Sequence, residues 1–89
     1  MAWTVSLSNI AERQLRKLER HVQKRILDWL SDRIEGCKHP RHFGESIKGD
    51  HAGLWRYRVW GYRILGEIQD LKIVVLVLTI GHRRQVFKR

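Results

Sequence analysis

The amino-acid sequence predicts a small α+β domain of order β-α-α-β-β-β, a mainly antiparallel twisted sheet with a helical hairpin packed on one face. Three patterns carry that expectation. Apolar residues recur at helical spacing between Ala11 and Ile34. From Leu54 the period changes to two. A nearly continuous apolar, β-branched run then ends at Ile80. With 89 residues, one domain spanning 1–89 is expected. A domain this small buries only about 60% of its unfolded surface, so dependence on a partner is also expected.

Trp3, Val5 and Leu7 alternate with Thr4, Ser6 and Ser8, as in a half-buried strand. Asn9 opens Asn-x-x-Glu with Glu12, a capping box. Ala11, Leu15 and Leu18 make one apolar stripe. Val22, Ile26, Leu30 and Ile34 make a second, with Leu27 and Trp29 beside it. One long helix accommodates both stripes, but a hairpin broken near Leu18–His21 suits a small domain better. Gly36 stands where a C′ residue would stop the second helix. Cys37–Gly53 reads as a polar loop, with Ile47-Lys48-Gly49 as an anchor point. Beyond it Trp55, Tyr57 and Val59 point one way and Leu54, Arg56 and Arg58 the other. A turn at Trp60-Gly61, a strand through Tyr62–Gln69 and a turn at Asp70-Leu71 follow. Lys72–Ile80 reads as a central strand covered on both faces. Gly81 ends it, before a basic tail, His82–Arg89.

The formal net charge of +9 is unevenly placed. Residues 1–35 carry seven basic and five acidic groups, residues 36–89 eleven and four. The second segment suits a polyanion. The lone Cys37 excludes an intramolecular disulfide and fits a reducing cytoplasm. The N-terminus lacks an apolar signal-peptide core, and no apolar run approaches the roughly 18 residues of a membrane span. A cytoplasmic protein without a membrane partner is therefore expected. The sequence has no Asp/Glu cluster for magnesium, no CxxC or HExxH for zinc, and no Gly-rich phosphate loop before a helix. No metal or other cofactor is expected, with His39 and His42 near Cys37 the sole, minor metal alternative.

The hairpin around Trp60-Gly61 carries the chemistry. A turn centred there pairs residues whose numbers sum to 121, setting Arg58 opposite Arg63 with Arg56 diagonal on the same face. Like charges directly opposite in a sheet are destabilising, so an anion is expected between them. Arginine suits that task because its planar fork grips phosphate oxygens bidentately. Arg83, just past the last strand, would complete the cluster. The alternative is three solvated arginines on an exposed face. Trp60 and Tyr62 flank this face and could stack unpaired bases, with core or edge packing as the alternative for each. RNA can be cut without metal when its own 2′-hydroxyl attacks the adjacent phosphate, given a base, an acid and cations around the transition state. Arginine supplies the last of these but is a poor base.

Ile47-Lys48-Gly49, then Gly53-Leu54-Trp55-Arg56-Tyr57-Arg58-Val59, then Gly61-Tyr62-Arg63-Ile64-Leu65, closely resemble the RelE branch of the RelE/ParE toxins. The ending Ile80-Gly81-His82-Arg83-Arg84-Gln85-Val86-Phe87 is similar to that branch's tail. The resemblance implies a toxin paired with a RelB-like antitoxin, touching operator DNA only through the antitoxin complex. It implies entry into the ribosomal A site and metal-independent endoribonuclease cleavage of mRNA there. Arg56 and Arg58 match positions that contact and activate the RNA backbone. Arg63 matches the arginine that stabilises the phosphate, and Arg83 the tail arginine assigned to the leaving group. Lys48, Trp60, Tyr62, Arg84, Phe87 and Lys88 are the further RNA-binding candidates.

Phe87 falls where that branch often has a catalytic tyrosine, and it carries no proton. His82 is the best local substitute as base, with a structural His82 as the alternative and His51 a weaker candidate. Two rival functions remain: a ParE-like DNA gyrase inhibitor with the same fold, and a catalytically inactive member that only binds antitoxin.

Overall fold

A computed structural model describes residues 2–47 and 53–82. Strand β1 (Thr4–Leu7) leads into α1 (Asn9–Arg16) and α2 (Arg20–Trp29), which runs on as a π turn over Leu30–Ile34. A 3-10 turn (Pro40–His42) and the two-residue strand β2 (Glu45–Ser46) precede β3 (Leu54–Val59), β4 (Tyr62–Gln69) and β5 (Val74–His82). The five strands form one sheet in the order β1-β5-β4-β3-β2. β1 pairs parallel with β5 and every other pairing is antiparallel. The α+β expectation therefore holds, with one edge strand more than the sequence pattern revealed.

The first helix starts one residue earlier than the Asn9 capping box implies. Ser8 is the N-cap, its Oγ accepting from the Ala11 N–H at 3.0 Å and donating to the Leu78 carbonyl at 2.8 Å. Its own N–H still donates to the Val77 carbonyl at 2.9 Å. Bonding to β5 keeps Ser8 extended (φ −68°, ψ 164°), the backbone an N-cap needs. The helices break between Arg16 and Arg20, within reach of the Leu18–His21 expectation. There the Gln23 side-chain amide donates to the carbonyls of Leu18 (2.7 Å) and Arg16 (3.3 Å), satisfying the end of α1. The π turn closes with the Glu35 N–H on the Leu30 carbonyl, and Gly36 at φ +82° ends it as expected.

α1 packs on β5 and α2 on β3, so one sheet face is buried. Ile26, Ile34, Tyr57, Ile64, Val75, Val77 and Ile80 are almost wholly inaccessible there. β5 departs from expectation at both ends and in its burial, and Gly81 does not end it, since the strand pairs with β4 through His82. It begins at Val74, because residues 70–73 form the turn and Ile73 sits at φ +56°. It is also buried on one face only, since Val74, Leu76 and Leu78 are half-exposed. A bulge lies where Leu65 faces Thr79 but Gly66 faces Val77, leaving Leu78 unmatched. That extra residue shifts the side-chain parity so that both Val77 and Ile80 reach the core. No described helix is long and apolar enough to cross a membrane.

Candidate functional site

A two-residue turn at Trp60 (φ +58°) and Gly61 (φ +82°) joins β3 to β4. Arg58 faces Arg63, and Arg56 faces Leu65, as the spacing predicts. The three arginines thus share the sheet face opposite the helices. Partial burial lowers the basicity of the Arg56 guanidinium, and the charges of Arg63 and Arg58 lower it further.

A carboxylate that the sequence pattern did not single out completes the group. Glu45 on β2 lies opposite Arg56 and forms an ion pair with its guanidinium. Its Oε2 is also 3.4 Å from Arg58 Nη2. The Cys37–Gly53 segment is therefore not a featureless loop. Two β3 side chains anchor it: Tyr57 donates to the Pro40 carbonyl at 2.8 Å, and Trp55 Nε1 to the Phe43 carbonyl. Burial pushes the Tyr57 hydroxyl well above its ordinary pKa, keeping it a neutral donor. Gly44 (φ +73°) makes the closest approach, since a Cβ there would sit 2.2 Å from the Arg56 carbonyl oxygen. Only glycine lets this strand lie so near β3. The result is an open cleft of about 420 Å³ whose lining includes His42, Glu45, Arg56 and Arg58.

Not every predicted residue joins it. Trp60 leans onto α2, with the Arg25 guanidinium carbon 3.7 Å from its ring centroid and His21 edge-on at 6.2 Å. Tyr62 and His82 are paired across β4 and β5 and meet edge-to-face at 5.8 Å. With Val59 they form a row on the helix-bearing face, one step from the row of Arg58, Arg63 and Gly81. The Leu78 bulge sets this parity and turns His82 away from the arginines. Lys48, His51, Arg83, Arg84, Phe87 and Lys88 lie outside the described residues. Among the described residues no three His, Cys, Asp or Glu side chains gather as a metal site. His39 and His42 stack at 4.9 Å, and burial raises the pKa of the Cys37 thiol, which disfavours the ligating thiolate.

A family model, that of the ParE toxin of type II toxin–antitoxin systems (parDE), matches residues 5–87. The chain belongs to this toxin family. Within the wider RelE/ParE superfamily, the toxin is 26% identical to Toxin RelG of Mycobacterium tuberculosis over 89 residues, 100% of each chain. It superimposes with a TM-score of 0.81 on a chain of the toxin–antitoxin complex RelBE2 of Mycobacterium tuberculosis, at 26% identity and 93% coverage of both. The isolated E. coli RelE toxin shares the fold, with a TM-score of 0.71 at 22% identity, covering 91% of this chain and 84% of the other.

Proposed function

We propose that this toxin is a ribosome-dependent endoribonuclease that cuts mRNA in the A site, blocking translation, and that a RelB-like antitoxin restrains it. The observation that carries the proposal is the row of Arg58 and Arg63, with Arg56 beside it and Glu45 bridging Arg56 and Arg58. Three cations on an open face suit a phosphodiester whose negative charge grows as the 2′-oxygen attacks. An incoming phosphate competes with Glu45 for the same N–H groups, which frees the carboxylate to accept a proton. Glu45 then takes the 2′-hydroxyl proton, and the 2′-oxygen forms a bond to phosphorus. The bond to the 5′-oxygen breaks, and that oxygen is protonated from solvent, leaving a 2′,3′-cyclic phosphate and a 5′-hydroxyl. The route needs neither metal nor cofactor.

Glu45 is a better candidate base than His82, which faces away, and it removes the need for a tyrosine at Phe87. The antitoxin assignment draws on the named relatives: RelBE2 of Mycobacterium tuberculosis and the RelBE complex of E. coli are toxin–antitoxin complexes. The sequence resemblance supports the further parts of the proposal: action in the cytoplasm as one unit over 1–89, with operator DNA met only through the antitoxin.

Single-turnover cleavage on ribosomes programmed with a defined mRNA tests the proposal. Arg63→Ala should lose on the order of 10²–10³ in rate, as when one transition-state donor is removed. Glu45→Gln should lose roughly 10²–10⁴, the usual span for a general base. Unchanged cleavage by both variants would overturn it. The ParE family match favours a second reading, inhibition of DNA gyrase. DNA damage on expression, without mRNA cuts, would establish that reading instead. No growth effect at all would indicate an inactive, antitoxin-binding member.

A further inference from the structure

Trp60 occupies a costly position. A tryptophan at φ +58° is in the left-handed region that β-carbons resist, and asparagine before glycine would form the same two-residue turn with less strain. One pair in from the turn, beyond Val59 and Tyr62, Arg58 and Arg63 repel each other across the strands. Both effects loosen the hairpin end. They are opposed by α2, where His21 and Arg25 stand one helical turn apart and both reach the Trp60 ring. Arg25 lies 3.7 Å over the ring centroid, and Trp60 as a residue is 54% exposed.

We infer that Trp60, gripped by Arg25 and His21, is a positioning residue that holds Arg58 opposite Arg63. The grip ties the hairpin tip to a helix on the far side of the sheet, so the arginines face the substrate at a fixed separation despite their repulsion. Turn geometry alone favours asparagine, so the tryptophan is accounted for by what its ring docks against. The rate predictions rest on the nuclease proposal, whereas the register prediction stands apart from it.

Single-turnover cleavage on programmed ribosomes, melting curves and cross-strand nuclear Overhauser contacts between Arg58 and Arg63 test this together. Arg25→Ala should cut roughly tenfold more slowly at saturating ribosome concentration, with the half-saturating concentration unchanged, because displacement of aligned groups by about 1 Å can cost up to 10²-fold. Arg25→Lys, which keeps a cation over the ring, should recover most of that rate. Trp60→Asn should match Arg25→Ala in rate without melting lower than wild type. The Arg58–Arg63 contact should weaken in both slow variants. Full rate in Trp60→Asn would show that the turn alone sets the register and would overturn the inference. So would a change in half-saturation that Arg25→Lys cannot rescue, because Arg25 would then be touching the ribosome itself. If wild type cuts nothing, the nuclease proposal fails, and the inference is judged by register alone: a contact unchanged in Arg25→Ala overturns it, and a weakened one sustains it.

Discussion

Replacing Gly44 by alanine should disable the cleft while leaving the core folded. Its backbone lies at φ +73°, which costs an L-residue roughly 1–2 kcal/mol. The new methyl would also meet the Arg56 carbonyl oxygen at 2.2 Å and the Tyr57 ring at 2.8 Å. Arg56 cannot retreat, because β3 is held by β4 on its other side. The cheaper response is for β2 to leave the sheet. That exchange forfeits a hydrogen bond or two, worth about 1 kcal/mol each net, and the exposed ion pairs of Glu45. A loss of about 1–3 kcal/mol should lower the melting temperature by roughly 5–20 °C in a domain of this size. Cleavage should fall much further, by about the 10²–10⁴ predicted for Glu45→Gln, since Glu45 departs with β2. Circular dichroism melting and single-turnover cleavage on the same preparation measure both. An alanine variant that cuts at the wild-type rate would refute the assignment of Glu45 and the role given to β2.

Three further outcomes are expected. Tyr57→Phe removes the donor to the Pro40 carbonyl and should cost about 1–3 kcal/mol in denaturant unfolding, together with some cleavage rate as the loop loosens. Ile64→Ala opens a cavity at a wholly buried β4 position and should cost about 2–5 kcal/mol, enough to leave much of the protein unfolded in a thermal melt at physiological temperature. Asp70→Asn tests pH linkage. Arg41 hydrogen-bonds the Asp70 carboxylate through two nitrogens at 2.9 Å and holds its pKa below the usual carboxylate value. A depressed folded pKa stabilises the protein above the unfolded value of about 4 and loses that contribution as pH falls through the folded one. The melting-temperature gap between wild type and Asp70→Asn should therefore hold at neutral pH and close below about pH 4. A gap that persists at pH 2 would contradict the pairing.

The parts legible in the sequence are those set by local pattern. Apolar stripes gave both helices, and a two-residue loop fixed the parity that brings Arg58 to Arg63. The Ser8 cap was hidden because it depends on bonds to Val77 and Leu78, about seventy residues away. β2 has two exposed residues and no periodicity, so its existence, and with it the place of Glu45, follows only from pairing with β3. One available clue was that three clustered arginines need a counter-charge, and Glu45 is the acidic residue nearest before them apart from Asp50. The unmatched Leu78 likewise leaves no mark in an apolar run, yet it decides which way His82 faces. The sequence leaves Trp60 open between base stacking and packing, because a turn residue's direction depends on its backbone; at φ +58° the ring leans toward α2 and packs there.

The parallel pairing of β1 with β5 has a kinetic consequence. Thr4 through Leu7 find their strand partners at Val74 through Val77, so the first strand made can bond only to residues 35–37 on its other edge until nearly all of the sheet has been synthesised. Ser8, which starts α1, donates hydrogen bonds to the same late strand. Such long sequence separation slows folding, placing the sheet's closure among the late and slow steps, toward milliseconds or longer. Until then the apolar face of α1 lacks the β5 surface it covers, and α2 has only β3. A partner that binds those faces during synthesis would meet the chain before the arginine face has been assembled, and would be acting on folding as well as on the finished toxin.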